Sequence, residues 1–178
     1  MRTLTQFSSS RCWKKRCSIL EVFVNAVIED QQWHTYVVLL KEKFGERTLP
    51  IWIGESEAMA IALCLEGVKP KRPLTHDLLK SVLDAFQAKV SKIGIVDLKD
   101  ETYYAKIFVE VDSRVYAIDA RPSDSIALAL RTRSTIWVND AIINQNGIVL
   151  QGDKTIEELK RRLRNTKPEF FGEMDFGK

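Results

Sequence analysis

The stretch Arg47-Thr-Leu-Pro-Ile-Trp-Ile-Gly-Glu-Ser-Glu-Ala-Met-Ala-Ile-Ala-Leu-Cys-Leu65 decides the fold. It reads as a short buried strand over 49–53, a turn at Gly54, and a helix opened by Ser56 and Glu57. The chain says this twice. Shifted by 67 residues, Arg47, Ile51 and Ser56 return as Arg114, Ile118 and Ser123, Glu57 returns as Asp124, and Ala60, Ala62 and Leu63 return as Ala127, Ala129 and Leu130. Upstream, Ile28, Asp30, Thr35 and Tyr36 return as Ile95, Asp97, Thr102 and Tyr103. From 28 to 63 that makes 10 identities in 36 positions, where unrelated sequence of this composition would give roughly two. One offset keeps strand alternation and helix in phase. The expected fold is therefore α+β, a tandem duplication of a three-strand-plus-helix unit, with the copies at about 19–66 and 92–132.

Working outward, the first copy opens with a strand over 19–29, with Leu20, Val22, Val24 and Ala26 on one face. A turn at 30–32 and a return strand over 34–43 follow. The helix of this copy is apolar nearly all round and is expected to be buried, with Gly67 ending it. Between the copies, Lys69-Pro-Lys-Arg-Pro73 is an extended basic connector, because its prolines forbid helix. Thr75 then caps a linking helix to about Val90, with Leu78, Leu79, Val82, Leu83, Phe86 and Val90 as its apolar stripe and Asp77, Lys80, Asp84 and Lys89 facing water. After the second copy, 137–152 reads as two short strands around Asn146-Gly147. The C-terminal tail, 153–178, carries a helix over 155–165 and three phenylalanines expected to dock on something.

The expected domains are an unstructured basic lead (1–17), the duplicated domain (18–152) and that tail. The formal charge of +3 misleads. Five basic residues and no acid lie in the first twenty positions, so the remainder holds 22 basic against 24 acidic residues. The body is not a generally basic, nucleic-acid-coating surface. No apolar run reaches the length of a membrane span. Cys12, Cys17 and Cys64 have neither zinc-ligand spacing nor a disulfide framework, which makes the cytoplasm the expected compartment and Cys64 a packed thiol.

Candidate chemistry gathers at the helix starts. Glu57 and Asp124 stand at equivalent places in first turns, where free N–H groups and the helix dipole favour negative charge. Ordinary capping explains them as well as function does, unless the halves bring them into one cleft. The copies also differ usefully: Trp52 corresponds to Asp119 and Gly54 to Arg121. Asp119 and Asp124, with Glu57, could hold a divalent cation such as Mg²⁺ or Mn²⁺ through oxygen ligands, and Arg121 could clamp a phosphate. An internal Asp–Arg pair that fixes the turn is the equal alternative. His76, beside Asp77 at the start of the linking helix, could act as a general base or metal ligand, or be a surface residue.

Three ordered motifs, Leu49-Pro-Ile-Trp-Ile-Gly-Glu-Ser-Glu-Ala58, Arg72-Pro-Leu-Thr-His-Asp-Leu-Leu79 and Asp119-Ala-Arg-Pro-Ser-Asp-Ser-Ile-Ala-Leu-Ala129, resemble the bifunctional nuclease domain family over roughly 19–167. The resemblance implies a nuclease cutting both DNA and RNA. Its motif positions here are Gly54, Glu57, Arg72, Pro73, Thr75, His76, Asp77, Arg121, Pro122, Ser123 and Asp124. The expectation is a metal-assisted phosphodiester hydrolase of low sequence preference. His76, Asp77, Glu57 and Asp124 would be catalytic, Arg72, Arg121 and Ser123 would bind substrate, and Asp119, Asp124 and Glu57 would hold the metal. The rival reading is a non-catalytic binding or regulatory module acting through a protein partner. A homo-oligomer is expected from the apolar helices.

Overall fold

The structure, a computed structural model, describes residues 18–30 and 35–150. The basic lead, His34, the first hairpin turn beyond Asp30, and the C-terminal helix with its phenylalanines lie outside the described residues.

Eight strands and four helices run in the order β1 (Ile19–Asp30), β2 (Thr35–Glu42), β3 (Arg47–Ile53), α1 (Glu55–Leu65), α2 (Thr75–Ala85), β4 (Lys89–Lys99), β5 (Thr102–Val111), β6 (Arg114–Ala120), α3 (Pro122–Thr132), β7 (Thr135–Asn139), α4 (Asp140–Asn146) and β8 (Ile148–Val149). The fold is α+β. One sheet holds all the strands in the order β6-β5-β4-β7-β1-β2-β3-β8. Two antiparallel meanders, β1-β2-β3 and β4-β5-β6, thus stand on either side of β7, which runs antiparallel to β1 and parallel to β4. The second meander turns on Asp100-Glu101 and Asp112-Ser113, all four with left-handed φ of 46° to 61°. Two such residues in a row match the right-handed twist of the strands they join.

Alternation along the strands gives the sheet a helix face and a back face. Val38, Leu40, Leu49, Ile51, Ile93, Ile95, Ala105, Ile107, Val109, Ile136 and Val138 form one core with Ala58 and Ile61 of α1 and Ile126 to Ala129 of α3. Val37 and Leu39 point the other way, into a smaller cluster with Ala26, Ile28, Trp52, Ile148 and Leu150. Helix α3 is enclosed between the sheet, α1 and α2. Its small residues allow that close approach.

Several local expectations change. The register of β1 shifts between Val24 and Ala26. Leu20, Val22 and Val24 therefore serve the main core while Ala26 joins the back-face cluster, because a bulge exchanges the faces beyond it. Helix α1 starts at Glu55 with Gly54 as its cap, and leaves Met59 and Leu65 exposed. Helix α2 stops at Ala85, since left-handed Gln87 (φ 53°) turns the chain into β4; Val90 is a core residue of that strand, not part of the helix stripe. The segment after β7 contains a helix that alternation did not reveal. Asn139 caps it by accepting from the Ala141 amide at 3.1 Å.

Candidate functional site

Each meander delivers its chain to a helix on the same face of the sheet, so α1 and α3 lie side by side. Their first turns meet. Arg121, the N-cap residue of α3, donates from Nη2 to Glu57 Oε1 in the first turn of α1 at 2.6 Å. The same guanidinium donates from Nε and Nη2 to the two oxygens of Asp124 at 2.8 and 3.2 Å. This is a fork-to-fork pair of fixed geometry. The residue at position 54, the counterpart of Arg121, is glycine, and its lack of a Cβ leaves room for Glu57: a Cβ there would stand 2.5 Å from Glu57 Oε2.

Helix α2 brings in the third partner. His76, with an 11% exposed side chain, places Nε2 3.2 Å from Asp124 Oδ1. The His76 and Arg121 hydrogen bonds outweigh partial burial and hold the Asp124 carboxyl down at about 2. An ionised carboxylate only accepts, so His76 Nε2 carries the hydrogen, and in the neutral ring it is Nδ1 that holds the lone pair. No hydrogen bond to Nδ1 occurs among the described residues. The neighbouring Asp77 turns to the other side of the helix start. Its Oδ2 accepts from the Leu74 amide at 3.0 Å and its Oδ1 from Arg131 Nε at 2.6 Å. Burial pushes the Asp77 carboxyl up, but the Leu74 amide, Arg131 and His76 together bring it below the ordinary carboxylate range.

The structure thus gathers Glu57, His76, Arg121 and Asp124, from three helix starts, while Asp77 beside His76 is turned to Arg131. The linking helix does not turn Asp77 to water as its periodicity suggested; the pull of Arg131 in α3 decides that. Arg131 is the residue that sequence reasoning missed. Its side chain is 7% exposed, and it also donates to the Ala127 and Ala60 carbonyls at 2.9 and 3.1 Å, tying all three helices together. A signal existed, because Arg131 stands where the first half has Cys64, a lone cation in the last turn of an apolar helix. Ser123 is buried in the second helical position, and Arg72 is exposed in the connector four residues before His76.

Asp119 is not part of the cluster. It pairs in register with Lys106, while its neighbour Ala120 packs against the main core; alternation therefore turns Asp119 to the back face. Glu57 and Asp124 are already engaged by Arg121 and His76. Among the described residues no three His, Cys, Asp or Glu side chains are grouped so as to hold a metal ion.

Three helix starts bring a histidine, two carboxylates and an arginine together over a mixed sheet. Residues 38–151 match the bifunctional nuclease domain, more than half of the sequence, and the chain belongs to that family. It is 42% identical to an uncharacterised protein of Mycobacterium tuberculosis, over 86% of this chain and 91% of that one. It is 24% identical to bifunctional nuclease 1 of Oryza sativa subsp. japonica and 26% identical to bifunctional nuclease 1 of Arabidopsis thaliana, in each case over 68% of this chain but 38% of the plant protein. No helix among the described residues is long and apolar enough to cross a membrane.

Proposed function

We propose that this protein is a nuclease hydrolysing phosphodiester bonds of both DNA and RNA with low sequence specificity. Family membership supports the class, and the names of the plant relatives support the double substrate. The single observation that carries the reading is the His76–Asp124–Arg121–Glu57 cluster, which joins a histidine oriented by a carboxylate to a half-exposed guanidinium.

Hydrolysis of DNA cannot use a ribose 2′-hydroxyl as nucleophile, so an enzyme that cuts both polymers must activate water. Asp124 fixes the ring of His76 and steadies the positive charge the ring gains on taking the water proton at Nδ1. Arg121 is the group suited to the charge that builds on the phosphoryl oxygens in the transition state. It begins from a clamp between Glu57 and Asp124, and swinging toward a phosphate exchanges one anion for another. Arg72, with Lys69 and Lys71, lies on the approach to the His76 end of α2 and would draw in the polyanion. This local basic connector compensates for the acidic balance of the body. Asp77 and Ser123 serve by shaping the helix starts.

The test is incubation of the purified full chain with single-stranded DNA, duplex DNA and RNA, in Mg²⁺, in Mn²⁺ and in EDTA. Wild type should cut both polymers, and Asp124→Asn and His76→Ala should not. Cleavage that both variants retain would reject the site. No cleavage under any condition would leave the rival reading, a binding module acting through a protein partner.

A further inference from the structure

Helix α2 faces the opposite way from a helix that completes its own core. The side turned to α3 carries His76 and Asp77, bonded to Asp124 and Arg131. The side turned to water carries Leu78, Leu79, Val82 and Phe86, which are 58%, 42%, 44% and 76% exposed. At 100° per residue, Thr75, Ser81 and Ala85 share that outward arc, and no charged residue does. Lys80 and Asp84 pair with each other on the opposite side of the helix. The helix cannot roll to bury its stripe without breaking both the His76 hydrogen bond and the Asp77 ion pair to α3. An uncharged surface of this kind has nothing to offer a polyanion.

We propose that a second copy of this chain covers the stripe, in a two-fold dimer whose α2 helices lie antiparallel and cross at Val82. The argument is self-complementarity, which a two-fold interface requires. About Val82 as centre, Leu78 lies opposite the partner's Phe86, the bulky Leu79 lies opposite the partner's small Ala85, and Val82 meets its own copy. The four outward side chains with Leu74 expose roughly 500 Å² per copy, so a two-fold contact over the stripe would bury about 1,000 Å² in total, the lower bound for a specific interface. The arrangement has a functional consequence, because His76 rides on the same helix. Dimerisation would hold α2, and with it the ring of His76, from both sides.

The experiment uses the full chain in sedimentation velocity at micromolar concentration. Wild type should be a dimer. Phe86→Glu, and separately Leu78→Asn at the other end of the stripe, should weaken the dimer by at least about 100-fold; far-ultraviolet circular dichroism shows that each is folded. A second readout is specific to the proposed axis. In a chain carrying Cys12→Ser, Cys17→Ser and Cys64→Ser, Val82→Cys should link to its own copy through a short bis-maleimide, because only a residue on the two-fold axis meets itself. A monomeric wild type would overturn the proposal. So would a dimer that survives both folded variants, or one whose Val82→Cys copies fail to link.

Discussion

Replacing Arg131 by methionine removes the tie among α1, α2 and α3 while keeping much of the apolar stem. Three hydrogen bonds from a nearly buried guanidinium are lost, to Asp77, Ala60 and Ala127. Bonds of charged groups contribute about 1.5–3 kcal/mol each, but the two carbonyls keep their helical amide partners and would lose only a second bond. Breaking a fully buried ion pair costs about 3–5 kcal/mol. Asp77 remains about one-third exposed, can hydrate, and keeps the Leu74 amide, so a discounted total of about 3 kcal/mol is expected. For a chain of this size that lowers the thermal midpoint by roughly 6–12 °C. Thermal unfolding followed by circular dichroism measures it, and a double-mutant cycle with Asp77→Asn isolates the ionic part, expected at about 1–2 kcal/mol. An Arg131→Met protein within about 0.5 kcal/mol of wild type would refute the claim that this side chain locks the helices.

Other consequences can be checked separately. The folded-state Asp124 carboxyl sits at about 2 against an ordinary 3.8, so its contribution is complete above pH 3.8 and is lost as pH falls toward 2. Allowing for its exposure this is about 1–2 kcal/mol, and Asp124→Asn should flatten the acid limb of unfolding free energy against pH. Arg121→Ala should leave Glu57 and Asp124 facing each other without their shared cation and lower the cleavage rate by about 100-fold or more, read in a single-turnover assay. Gly147→Ala should destabilise the protein by about 1–3 kcal/mol in a urea titration, because the added Cβ would sit 2.3 Å from the Ile143 carbonyl oxygen, which the backbone cannot easily move.

What was legible in the sequence was whatever repeats at short range. Alternation placed the strands of both meanders, and the offset of 67 set Glu57 and Asp124 in matching first turns, which the structure brings to one guanidinium. Faces were less secure. A bulge near Asn25 exchanged the faces of β1, and no pattern in single residues announces it. The stripe of α2 was legible except at Val90, which belongs to β4, but its orientation depends on Arg131, 54 residues away from Asp77 in sequence. The Asp119 expectation failed for an elementary reason. Five residues separate it from Asp124, yet they cross from strand to helix, and strand alternation had already sent Asp119 through to the other face. Helix α4 was hidden because seven residues are too few to show a helical period.

The most direct test of the central claim, that the converging helix starts form a hydrolytic site, is the single-turnover cleavage rate of one labelled single-stranded DNA oligonucleotide. Wild type and His76→Ala are compared at equal folded concentration. Loss of the oriented ring should slow cleavage by about 100-fold or more, with oligonucleotide binding little changed. A rate within about threefold of wild type would place the chemistry elsewhere.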